Sequence, residues 1–162
     1  IRKYVANEDL GNPGNSGLNI ILLRYAEILL TYAEAKIELN EIDATVYDAI
    51  NAIRQRPSVG MPEITSADAS SQEELREVVR KEHTVELAFE GFRLFDIRRW
   101  RIGEEVIPGY PRGIRYVDEN DELRQVEITG AERVFDPNKD YLWPIPSRER
   151  ELNSNLTQNP GW

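Results

Sequence analysis

The stretch Glu86–Trp100, ELAFEGFRLFDIRRW, constrains the fold more than any other part of the chain. Within fifteen positions it sets three arginines and three carboxylates among Leu87, Phe89, Phe92, Phe95 and Trp100. A helix exposed to water does not carry so many large apolar groups, and a plain core helix does not carry so many charges. Both are accommodated if two helices meet at Gly91, with their charges paired and the large apolar side chains in a core. Glu86, Glu90 and Asp96 stand at short range from Arg93, Arg98 and Arg99, and charge leaves water only when it is paired. Glu82, Glu86 and Glu90 recur every four residues and would repel one another if all faced water, so Arg24 is a further natural partner beside Arg93 and Arg98.

Around this segment the sequence predicts a mainly α domain. A first helix runs from about Leu22 to Leu39, where Leu22, Tyr25, Ala26, Leu29, Ala33 and Ile37 recur at helical spacing and Asn40 is a stop. A second runs from Ala44 to about Arg56, with Asp43 as its N-cap, Pro57 as its end, and Val46, Ala49, Ile50 and Ile53 as its buried stripe. The short link makes the two an antiparallel pair of tetratricopeptide-like type, and the alanines at 26, 33, 35, 49 and 52 allow close approach. Ser71 and Glu74 form a capping box for a third helix over Gln72–Glu90. A fourth, short helix spans about Arg93 to Arg101.

Beyond it the chain changes character. Pro108, Gly109, Pro111, Gly113 and Gly130 break any helical period, and two extended runs, Ile114–Val117 and Leu123–Ile128, flank an acidic turn and read as a β-hairpin. Trp143–Pro144–Ile145–Pro146 is extended because each proline restricts its predecessor. Ser147 then caps a short turn of helix over Arg148–Leu152. Residues 1–17 form a polar linker or loop that continues from something upstream, and residues 18–162 form one domain.

Composition removes whole classes of function. The net charge is −9 and no Lys/Arg cluster stands free of acids, which argues against nucleic acid and against an anionic membrane surface. No run approaches the length of a membrane-spanning helix. There is no cysteine and a single histidine, so no thiol chemistry and no His-based catalytic constellation is on offer. No G-x-S-x-G elbow or glycine-rich phosphate loop occurs, and no pair of carboxylates is singled out by spacing. No catalytic residue and no cofactor is expected. Glu82, His83 and Glu86 crowd one helix, but one histidine rarely makes a metal site, and His83 is read as a helix-surface or ion-pair residue.

Four segments together carry a resemblance. RYAEILLTYAEA (Arg24–Ala35), NAIRQRP (Asn51–Pro57), ELAFEGFRLFDIRRW and YLWPIPSRERELNSNLTQNPGW (Tyr141–Trp162) resemble, in this order and spacing, the C-terminal part of the SusD/RagB family. His83 departs from that pattern, which usually has arginine there. The resemblance implies a non-catalytic protein of the cell outer-membrane surface, a lipoprotein whose lipidated cysteine lies outside this chain. It implies a partner TonB-dependent, SusC-like transporter and an oligosaccharide or polysaccharide as ligand. A helical-repeat scaffold for protein docking, with the sugar bound elsewhere, is the competing reading.

Sugar capture needs exposed aromatic rings that stack on pyranose C–H groups, beside polar groups for the hydroxyls. Trp100, Trp143 and Trp162 lie inside the matching motifs and are assigned to the core. Tyr110 and Tyr116 lie in the loop-rich segment between those motifs, near Arg112, Arg115, Asp118 and Asn120, and loops carry function more often than packed helices. Tyr110, Tyr116, Arg112 and Asn120 are the candidate ligand-binding residues.

Overall fold

The computed structural model describes Lys3, Gly11 and residues 21–111, 113–126 and 130–162. Two compact units divide the chain, Ile1–Arg93 and Leu94–Trp162. Their elements, in order, are α1 (Tyr25–Glu38), α2 (Ala44–Arg54), α3 (Gln72–Glu86), α4 (Arg93–Arg99), α5 (Gly103–Val106), β1 (Arg115–Val117), β2 (Leu123–Gln125) and α6 (Ser147–Leu152). The protein is mainly α, with tetratricopeptide-like helix pairing and one antiparallel β-hairpin, as the sequence predicts.

In the first unit α1 packs on both α2 and α3. Leu30, Ile37, Val46, Ile50, Leu75 and Val79 are sealed from water, and Ala26, Ala33, Ala49, Ile53 and Leu87 complete the core. All four residues expected on the inner stripe of α2 are buried. On α1 the expected Ala26, Ala33 and Ile37 are buried, and Leu30 joins them. Ala26, Leu30, Ala33 and Ile37 face inward at i, i+4, i+7 and i+11, whereas Leu29 is half-buried and Tyr25 is exposed. Leu22 precedes the helix, whose N-cap is Arg24, and it too is exposed.

Each helix end has a local cause. Asn40 adopts φ 57°, and Glu41 N–H reaches Lys36 O (2.9 Å) while Asn40 N–H reaches Ile37 O (2.9 Å), which closes α1 in a Schellman motif. The Asp43 carboxylate accepts from Thr45 N–H at 2.9 Å and from Thr45 Oγ1–H, and it pairs with Lys36. The Lys36 ammonium and these Thr45 donors hold its pKa down to about 2. At α3 the capping box is complete: Glu74 N–H donates to Ser71 Oγ (3.2 Å) and Ser71 N–H to Glu74 Oε2 (3.0 Å).

The charged and aromatic segment departs from its expected form. Helix α3 stops at Glu86, not Glu90, because Phe89 takes a left-handed φ of 65° and Gly91 one of 87°. Leu87 and Trp100 are buried and Phe92 packs against the first core, but Phe89 and Phe95 are exposed, against the expectation that all five fill a core. Helix α4 ends at Arg99 because Arg101 is left-handed (φ 52°) and a second Schellman pair, Ile102 N–H to Ile97 O and Arg101 N–H to Arg98 O, closes it there. At α6, Pro146 occupies the cap position with no side-chain bond, so Ser147 opens the helix and does not cap it.

Between α2 and α3 the loop is pinned by one buried amide. Asn51 donates Nδ2–H to Ile64 O (2.8 Å) and accepts Ile64 N–H at Oδ1 (2.8 Å). Asn51→Ala leaves both backbone groups without that partner, and each buried group left unsatisfied costs about 1–3 kcal/mol. Urea denaturation should place this variant well below Ser71→Ala, which loses one cap worth about 1 kcal/mol. Equal midpoints for the two variants would contradict the pinning role of Asn51.

Candidate functional site

Glu82, Glu86 and Glu90, at the end of α3 and in the turn beyond it, all have arginine partners. Glu82 pairs with Arg54. Glu86 accepts from Arg24 Nη1 (2.6 Å) and from both Nη atoms of Arg56 (2.9 and 3.0 Å). Glu90 binds Arg24 through two oxygens (2.6 and 2.7 Å) and Lys3 Nζ at 2.5 Å. Hydrogen bonds to Glu90 outweigh burial and hold the Arg24 guanidinium above its ordinary pKa. Burial pushes the Glu86 carboxyl up, but the bonds to Arg24 and Arg56 more than offset it, and its pKa lies below the ordinary value.

These contacts confirm an ion-pair network and add Lys3 and Arg56 to it. Arg93, expected among the partners, donates to Thr84 Oγ1 (2.9 Å). Arg98, also expected there, lies over the Trp143 ring with Cζ 4.5 Å from its centroid. Asp96 is buried and pairs with Arg99 at 2.8 Å. His83 is buried, not on the helix surface, with Nε2 3.4 Å from Glu34 Oε2. Glu82, His83 and Glu86 thus turn to three different partners, and no group of three metal-ligating side chains forms among the described residues.

The candidate ligand residues sit in the second unit, which is held by a few specific contacts. Tyr141 is buried, its hydroxyl accepting Gly103 N–H (2.9 Å) and bonding to Glu104. Phe135 meets the Tyr141 ring edge-on at 4.8 Å and fills the space beside Gly103, where a Cβ would stand 2.4 Å from its Cζ. Arg101 stacks on the Tyr141 ring at 4.1 Å. The C-terminal tail folds back through Gln158, which brackets Ile145 (2.8 and 3.0 Å), and Asn159, which donates to Trp143 O (2.6 Å).

The hairpin of the same unit is exposed along both strands. Arg115, Tyr116 and Val117 pair with Gln125, Arg124 and Leu123. Tyr116 and Arg124 are directly opposed and so share one face, with Asp118 and Glu122 next along it. Asp118 anchors the turn: Oδ1 accepts Asn120 N–H (2.9 Å) and Glu122 N–H (3.0 Å), and Oδ2 accepts Arg124 Nε–H (2.9 Å). The Arg124 guanidinium, then these two amides, hold its carboxyl below the ordinary range. Asp118 is therefore a turn anchor, not a free partner for a ligand hydroxyl. Asn120 uses its backbone amide in the turn and keeps its side chain exposed.

Tyr110 lies next to Gly109, which exchanges two 3.0 Å backbone bonds with Arg133. Tyr110 is 61% exposed and Tyr116 47%, and neither hydroxyl has a hydrogen-bond partner among the described residues. One ring stands on a bridge and the other on a hairpin. Arg112 lies outside the described residues, as does Ile128, the expected end of the second strand. Trp100 is buried as expected, but Trp143 is 61% exposed and Trp162 48% exposed, each with a cation over one face (Arg98 and Lys139, both 4.5 Å). Trp143 lies in an apolar run and both rings lie in the segment that matches the family pattern, which is why the sequence assigns them to the core.

The fold and these sites define a helix-pair protein with an irregular, ring-bearing second unit. The chain belongs to the SusD family, whose model matches residues 1–162. It is 38% identical over 171 residues to SusD-like protein P2 of Formosa agariphila, covering all of this chain and 30% of that protein. Among solved structures it resembles a SusD-like protein from Bacteroides fragilis at 39% identity and TM-score 0.69, over 88% of this chain and 26% of that one. A SusD-like carbohydrate binding protein from Bacteroides vulgatus matches at 30% identity and TM-score 0.57, over 85% of this chain and 29% of that one. The chain therefore spans less than a third of the length of these relatives.

Two changes separate structural from ligand roles. Arg24→Ala strips partners from Glu86 and Glu90 and should cost roughly 2–3 kcal/mol in chemical denaturation, less than a fully buried pair because the cluster keeps some water. Glu86 has a depressed folded pKa, so its contribution is present above the unfolded value near 4.5 and is lost as pH falls through the folded one. The acid-side fall in stability should accordingly be shallower in Arg24→Ala than in the parent, and parallel curves would contradict it. Gly113→Ala would set a Cβ 1.4 Å from Val126 O and should open the hairpin, read as loss of hydrogen-exchange protection at the Val126 amide, which bonds to Ile114 O at 2.9 Å.

Proposed function

We propose that this chain is part of a non-catalytic glycan-capture protein of the outer-membrane surface, which holds an oligosaccharide and passes it to a TonB-dependent, SusC-like transporter. The observation that carries the sugar reading is the pair of exposed tyrosines, Tyr110 and Tyr116, whose hydroxyls have no hydrogen-bond partner among the described residues. An exposed ring suits the C–H surface of a pyranose, and Arg124, which shares a hairpin face with Tyr116, and the exposed Asn120 side chain of the adjoining turn suit its hydroxyl groups. Arg112 joins this set from the same segment. Membership of the SusD family and a relative described as carbohydrate binding support the same reading. The outer-membrane location and the transporter rest on the family alone; no described helix is long and apolar enough to cross a membrane. The chemistry is hydrogen bonding and stacking, with no covalent step.

A second reading is favoured by one observation. Tyr25, Ile28 and Tyr32 form an exposed stripe at helical spacing along α1, which suits a scaffold that docks another helix while sugar binds elsewhere. Calorimetry against a panel of polysaccharides separates the two when run on both this segment and the whole protein: heat with the segment supports the first, and silence with the segment but heat with the whole protein supports the second. Tyr110→Ala and Tyr116→Ala should each weaken glycan binding by about 0.5–1.5 kcal/mol beyond the lost contact area, with unchanged melting. Unchanged affinity in both variants, with melting lowered, would make the rings packing residues and place the site outside this segment.

A further inference from the structure

We draw no further inference here: the strongest candidate, the exposed apolar stripe Tyr25–Ile28–Tyr32 of α1 beside the 240 Å³ groove that Leu29, Ala52 and Arg56 line, carries nothing because nothing in the structure shows what covers it.

Discussion

The bond between Arg24 and the carboxylates of Glu86 and Glu90 is the interaction on which the first unit depends. Arg24 is the last residue before α1, and its two partners stand at the end of α3 and in the turn beyond it. One guanidinium therefore ties the start of one helix to the end of another, and Arg56, just past α2, joins at the same carboxylate. All three helices are referenced to this point. The bidentate geometry explains why arginine serves here, because a lysine offers no planar fork to match a carboxylate. It is reached once α3 has given way at Leu87. Glu90 Oε1 and Oε2 both meet Arg24 only because the chain has left the helix and turned through Phe89.

This arrangement lets a segment dense in charge sit against an apolar core. The burial of Leu30, Ile37, Val46, Ile50, Leu75 and Val79 drives the packing, while the ion pairs set how the ends meet. The second unit follows a different plan. Its order comes from single anchors, the Tyr141 hydroxyl at Gly103, the Gln158 amide at Ile145 and the Asp118 carboxylate in the turn. Such a frame leaves aromatic rings at the surface without disturbing its supports, which is what a binding segment requires.

The helices were legible because caps and apolar spacing are local properties. Asp43, the Ser71–Glu74 box and the stripe Val46–Ala49–Ile50–Ile53 act through neighbours within one or two turns. Partner choice was not legible to the same degree. Arg93 and Arg98 were nearer in sequence to the glutamates than Arg56 and Lys3, yet three-dimensional packing brought the distant residues in. The exposure of Phe89 and Phe95 depended on a left-handed turn that no propensity marks at a phenylalanine. For the candidate site, the surface position of Tyr110 and Tyr116 could be read from the Pro/Gly punctuation around them. The anchoring of Asp118 could not, since it needs the register that sets Arg124 beside it.

On the proposed function, the ring-bearing hairpin segment of the second unit, and not the ion-pair cluster of the first, meets the glycan. Hydrogen–deuterium exchange of the whole protein with and without a saturating oligosaccharide tests it most directly. Exchange should slow across Gly109–Gln125 and stay unchanged over Gln72–Glu90. Slowed exchange confined to Gln72–Glu90, or none anywhere in this chain while the whole protein binds sugar, would contradict it.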